Sequence, residues 1–100
     1  MARAVRWSPE ALDDLDEIAG SIARNAPLHA NVVTARVFEL ANGLSELSER
    51  GRIVPELNRR DMREVFIYSY RIIYRVEEET VVIWSVVHGA RLLDTTRPIP

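Results

Sequence analysis

Cysteine and lysine are both missing from this chain, and each absence narrows its chemistry. With no cysteine among the 100 residues, disulfides and thiolate metal sites are excluded. All thirteen basic residues are arginine, so no lysine can serve as a general acid and every cationic contact must be made by a planar guanidinium. No apolar run approaches the roughly 18 to 20 residues needed to span a bilayer. The opening MARAVRWSPE contains no apolar segment of the kind found in signal peptides, so the cytoplasm is the expected location. The two histidines, His29 and His88, stand far apart with no metal-ligand spacing, and neither a metal nor a cofactor is expected. P-loop, dinucleotide and nucleophile motifs are lacking.

What is present is an ordinary globular composition, 47% hydrophobic and 28% charged, and its length suits one domain spanning residues 1–100. Net charge is −2. The first fifty residues carry five arginines against eight acids, and the last fifty carry eight against seven. That is not the strongly basic balance of a protein that grips nucleic acid through its phosphates.

The apolar pattern sets the order of elements. Arg3–Trp7 alternates weakly and reads as a short strand. Ser8-Pro9-Glu10 then starts a helix, with Ser as N-cap, Pro at the first helical position and an acid facing the positive end of the dipole. Leu12, Leu15, Ala19 and Ile22 recur at helical spacing as far as about Arg24, and the DDLDE run falls on the solvated face. Asn25-Ala26-Pro27 breaks this helix and opens a longer one. Val33, Val37, Leu40, Leu44 and Leu47 form its stripe, and Gly51 marks its stop. After a polar loop with a possible edge strand at Arg52–Val54, the stretch REVFIYSYRIIYRVEEETVVIWSVVHGAR reads as three strands in an antiparallel meander. The result is an α+β fold, β-α-α-β-β-β, with a helical hairpin packed on one face of an antiparallel sheet. Residues 92–100 contain two prolines and read as a tail.

In the middle strand of the meander, Tyr70, Ile72, Tyr74 and Val76 share one face and Arg71, Ile73 and Arg75 the other. Arg63 and Arg91 lie where they could join the second face. Such a surface can hold phosphates, stack on bases or pair with acidic groups of a protein. Alternatively, Arg71 and Arg75 pair across strands with Glu64 and the Glu77–Glu79 turn. His88, at the end of the last strand, could act as an acid or base, the imidazole being a common proton carrier in catalysis.

WSPEALDDLDEI at the start, SYRIIYRV in the middle and VVHGARLL near the end resemble the ParE/RelE superfamily of toxins from bacterial type II toxin–antitoxin modules. The resemblance covers nearly the whole chain, and the order of elements is that superfamily's order. It implies one of two activities. The RelE-like branch comprises ribosome-dependent mRNA endonucleases, and on that reading Arg91, His88 and Arg63 are the catalytic candidates. The lysines of that branch have no counterpart here, Arg97 stands at the position of its C-terminal tyrosine, and Phe66 occupies the place of an arginine. The ParE-like branch comprises plasmid-stabilisation toxins that poison DNA gyrase by binding, without a catalytic residue. The HGAR and SPEAL segments and the net charge fit the ParE-like branch. That branch implies a ParD-like antitoxin and DNA gyrase as partners, with Arg63, Arg71, Arg75, His88 and Arg91 on the partner-binding surface. An antitoxin helix would lie in a groove formed by Leu12, Leu15, Ile22, Val33 and Val37. A non-toxic antitoxin-binding module is the third possibility.

Overall fold

A computed structural model describes residues 2–99. Its elements are β1 (Ala4–Trp7), α1 (Pro9–Ala23), α2 (Pro27–Gly43), β2 (Arg52–Ile53), β3 (Met62–Ile67), β4 (Tyr70–Val76) and β5 (Thr80–His88). They form one five-stranded sheet in the order β1-β5-β4-β3-β2, with α1 and α2 as an antiparallel hairpin on one face. The α+β class and the predicted order hold.

The sheet is mixed rather than wholly antiparallel. From β2 to β5 every pairing is antiparallel, but β1 lies parallel to β5, Ala4 opposite Thr80 and Trp7 opposite Ile83. The short β2 explains this. It takes the descending direction after α2, so the meander starts one strand later and its last strand ends parallel to β1.

Ser8 caps α1 as predicted. Its Oγ accepts the N–H of Ala11 at 3.1 Å and donates to the Trp84 carbonyl at 3.3 Å, tying the helix start to β5. The second helix stops at Gly43, seven residues short of the expected Arg50. Its chain is diverted because Ser45 bonds Arg3 twice, Arg3 N to Ser45 O at 2.9 Å and Ser45 Oγ to Arg3 O at 2.6 Å. Leu47, expected in the apolar stripe, is therefore exposed. Gly51 serves a different purpose from a helix stop. A Cβ there would lie 2.5 Å from the Glu64 carbonyl, so only glycine lets this segment approach β3.

The main core lies between the helices and the sheet. Ala11, Leu15, Val33, Val37, Ala41 and Leu44 meet Val65, Ile72, Tyr74, Val81, Ile83 and Val86. A β-bulge leaves Trp84 without a partner on β4, since Tyr74 pairs with Ile83 and Ile73 with Ser85. The bulge resets the alternation, so Val86 rejoins the helix side while Trp84 points to the opposite face. There a smaller cluster forms from Val54, Met62, Ile73, Trp84 and Leu93. The expected tail is indeed non-helical, but it is packed. Leu93 is buried against Trp84, and the Trp84 indole N–H donates to the Pro98 carbonyl at 2.7 Å.

Candidate functional site

The sheet face turned away from the helices was expected to display arginines. Instead it folds them inward. Arg71 is 5% exposed and lies between two carboxylates. Its Nε donates to Glu64 Oε1 at 2.8 Å, and its two terminal nitrogens hold Glu56 in a bidentate pair at 2.8 and 2.9 Å. Glu64 is fully buried and also accepts from Arg52. Two arginines and two glutamates thus neutralise one another over β3, β4 and the loop after β2. The bidentate bond from Arg71 holds the Glu56 carboxyl below its ordinary range, and the same bond raises the Arg71 guanidinium.

Arg75 follows the same pattern. Its Nε donates to Asp61 at 3.1 Å. Burial pushes the Asp61 carboxyl upward, but the hydrogen bond and charge of Arg59, with the charge of Arg75, outweigh it and leave Asp61 below its usual value. The loop between β2 and β3 is thereby clamped to the sheet at both ends.

The remaining candidates do not share that face. Arg63 pairs with Tyr74 in register and so lies on the helix side. It reaches round to donate to the Gly51 carbonyl at 2.9 Å. His88 pairs with Tyr70, four positions from Tyr74 along β4 and so about 13 Å away at strand spacing. His88 and Arg91 are both exposed and line a cleft of about 210 Å³ with Asp14, Glu17, Ile18, Ser21, Tyr70 and Val86. The five partner-binding candidates are therefore three separate features: a buried ion cluster with its Arg75 neighbour, a helix-side arginine on β3 and an exposed strand end.

The proposed antitoxin groove also divides. Leu15, Val33 and Val37 are buried in the chain's own core, because the helical hairpin needs that stripe to cover the sheet. Leu12 remains exposed and Ile22 half-buried. A partner laid on the hairpin would meet these two, together with the exposed Leu28 and Val32, rather than the predicted five.

One working residue escaped prediction. Asp14 belongs to the run read as solvated surface, yet its Oδ2 accepts from Val86 N at 3.0 Å, Ser85 Oγ at 3.1 Å and Arg97 at 2.9 Å. It satisfies the edge of β5 past the point where β1 ends. Arg97 also donates to the Trp84 carbonyl at 2.8 Å and lies over the indole ring at 5.6 Å, fastening the tail. The signal for Asp14 was available: it stands three residues after Ala11 and four before Ile18, on the flank of the buried stripe.

This arrangement of a helical hairpin on a mixed five-stranded sheet is the fold of toxins from toxin–antitoxin modules. The chromosomal ParDE system of P. aeruginosa aligns with a TM-score of 0.74 at 18% identity, covering 87% of this chain and 96% of that one. The RelBE2 toxin–antitoxin complex of Mycobacterium tuberculosis aligns with a TM-score of 0.64 at 26% identity, covering 88% and 99%. No curated protein matches the sequence. The family model described as ParE toxin of the type II toxin–antitoxin system, parDE, matches residues 5–93, and the chain belongs to that family. It is a type II toxin of the ParE/RelE superfamily.

Proposed function

We propose that this toxin acts by binding DNA gyrase and trapping its cleaved-DNA intermediate, and that a ParD-like antitoxin neutralises it. The observation that carries this reading is the state of Arg71. A nuclease acting on the arginine-bearing sheet face, as distinct from the exposed strand end at His88 and Arg91, would need guanidinium groups open to a scissile phosphate. Arg71 sits at the centre of that face and is already committed to Glu56 and Glu64. Breaking those bonds to bind phosphate would leave Glu64 buried beside an anion, which costs more than the phosphate contact returns. Recognition of a protein surface asks for no such exchange.

The match to the ParE family supports the same branch. The antitoxin would bring an amphipathic helix to the outer side of the hairpin at Leu12, Ile22, Leu28 and Val32. The net charge of −2 gives the chain little to gain from a field of nucleic-acid phosphates.

Induction of the chain alone in a bacterial host, with a DNA-break reporter and mapping of mRNA 5′ ends, tests the proposal. DNA breaks with intact mRNA are expected. New mRNA ends at codon-defined positions without DNA damage would replace gyrase with the ribosome as target and make Arg91 and His88 the catalytic candidates.

A further inference from the structure

β1 ends at Trp7, opposite Ile83, so the edge of β5 from Trp84 onward has no strand beside it. Side chains take that place. The Asp14 carboxylate accepts from Val86 N at 3.0 Å and from Ser85 Oγ at 3.1 Å, and the Ser8 hydroxyl donates to the Trp84 carbonyl at 3.3 Å. Ser8, Trp84 and Ser85 are buried. All these contacts lie within α1, its cap and β5. They fix a carboxylate, a hydroxyl, a carbonyl and an indole ring without help from residues 92–99.

That set of groups matches one kind of cation. A guanidinium is planar and offers its donors as a fork, which suits a carboxylate beside a carbonyl, and its face suits an aromatic ring. An ammonium has neither fork nor plane. Arg97 fills the site in this way. One terminal nitrogen donates to Asp14 at 2.9 Å and to Ser85 Oγ at 3.2 Å, and the other donates to the Trp84 carbonyl at 2.8 Å. The group lies 5.6 Å from the indole centroid. The fit is incomplete: Arg97 Nε is buried with no hydrogen-bond partner, which weakens the occupant's hold.

The segment that delivers Arg97 is lightly held. Residues 94–96 are exposed and close a turn on themselves, Asp94 Oδ1 accepting from Thr96 N at 3.0 Å. Beyond Arg97, the bond from the Trp84 indole N–H to the Pro98 carbonyl and the partial burial of Ile99 complete the attachment. Pro98 also lines a cleft of about 430 Å³ with Arg6, Trp7, Ser8, Pro9, Glu10 and Val82, which leaves space beside the strap. Against Arg6 in that cleft, α1 sets Glu10, Asp13, Asp14, Asp16 and Glu17 and no basic residue, so the field favours an incoming cation.

We propose that Asp14, Trp84 and Ser85 form a receptor for one arginine side chain, which Arg97 occupies in cis and which an arginine on an extended segment of a partner protein takes by displacing the strap. Displacement strands no group. Asp14 keeps Val86 and Ser85, the Trp84 carbonyl keeps Ser8, and the carbonyl following the incoming arginine replaces that of Pro98 on the indole N–H. Arg97 returns to water from an ion pair that is itself partly exposed. The receptor goes beyond the toxin reading and does not depend on the identity of the target.

The test uses the full chain with Arg97→Ala and the peptide acetyl-Thr-Arg-Pro-Ile-amide, with its lysine counterpart as control. Binding is followed by the NMR signal of the Trp84 indole N–H, and folding by circular dichroism. Arg97→Ala is expected to stay folded and to bind the arginine peptide about tenfold more tightly than the lysine peptide. In the wild type the strap competes at roughly millimolar effective concentration, so the same peptide should bind about tenfold more weakly, yet still move the indole signal when added at millimolar levels. Adding Asp14→Asn to Arg97→Ala should weaken the arginine peptide about tenfold. An unfolded Arg97→Ala chain would overturn the proposal, because an occupant the fold cannot spare is not exchangeable. So would a folded variant that binds neither peptide, binds both equally, binds no more tightly than the wild type, or is indifferent to Asp14→Asn. A wild-type indole signal that never moves would make Arg97 a permanent occupant and overturn the exchange.

Discussion

The two faces of the sheet are held by different physics. Toward the helices, Leu44, Val37, Tyr74, Ile72 and Ile83 fill a continuous apolar layer from which water is excluded on all sides. On the other face a smaller apolar cluster of Val54, Met62, Ile73, Trp84 and Leu93 is flanked by Leu57, Val87 and Ile99, and much of the remaining cover is made of paired charges and a strapped tail. The first face tolerates changes of volume by partial collapse. The second depends on every charge retaining its partner, since an ion stranded in a buried site loses both water and counter-charge. An arginine-rich strand therefore need not mean a binding surface. Here the acids that neutralise it come from a loop and a neighbouring strand that the local sequence does not single out.

The largest expected effect lies on the charged face. Arg71→Ala leaves Glu64 buried with only Arg52 for company and should cost about 3–5 kcal/mol of unfolding free energy, measured in urea. Leu44→Ala, on the apolar face, should cost about 3 kcal/mol through its cavity. A loss for Arg71→Ala well below that for Leu44→Ala would break the contrast between the faces. Acid should also act on the charged face. The Glu56 carboxyl is lowered in the folded chain, so its contribution is complete above its ordinary value of 4.5 and is lost as pH falls through the lower folded value. Glu56→Gln should flatten that part of the stability–pH curve, whereas Leu44→Ala should leave its shape unchanged. The smallest effect is a gain. Gly20 sits inside α1 with nothing near its missing Cβ, so Gly20→Ala should stabilise the chain by about 0.5–1 kcal/mol in the same unfolding assay.

Much of the helix-side face could be read from the sequence. The Ser8 cap, the break at Pro27 and the stripe of Leu15, Val33, Val37 and Leu44 are local signals with helical period, and the meander follows from short links between apolar runs. The premature end of α2 was not legible because it depends on Ser45 meeting Arg3, a contact across the fold. The bulge at Trp84 was hidden within VVIWSVV, where apolar residues on both faces erase the alternation that would reveal it. The candidate site was the least legible part. Period-two counting placed Arg71 and Arg75 correctly on one face, but strand position alone does not distinguish a displayed guanidinium from one folded onto Glu56, Glu64 or Asp61.

The central claim is that the Arg71 cluster is scaffold and not functional machinery. The most direct test is the triple variant Arg71→Met/Glu64→Leu/Glu56→Leu, which removes the buried charges together and leaves no ion stranded. Its circular dichroism and its growth arrest on induction would be compared with those of the wild type. A folded variant that still arrests growth is the predicted result. A folded variant with no effect on growth would contradict the account and return Arg71 to the functional surface.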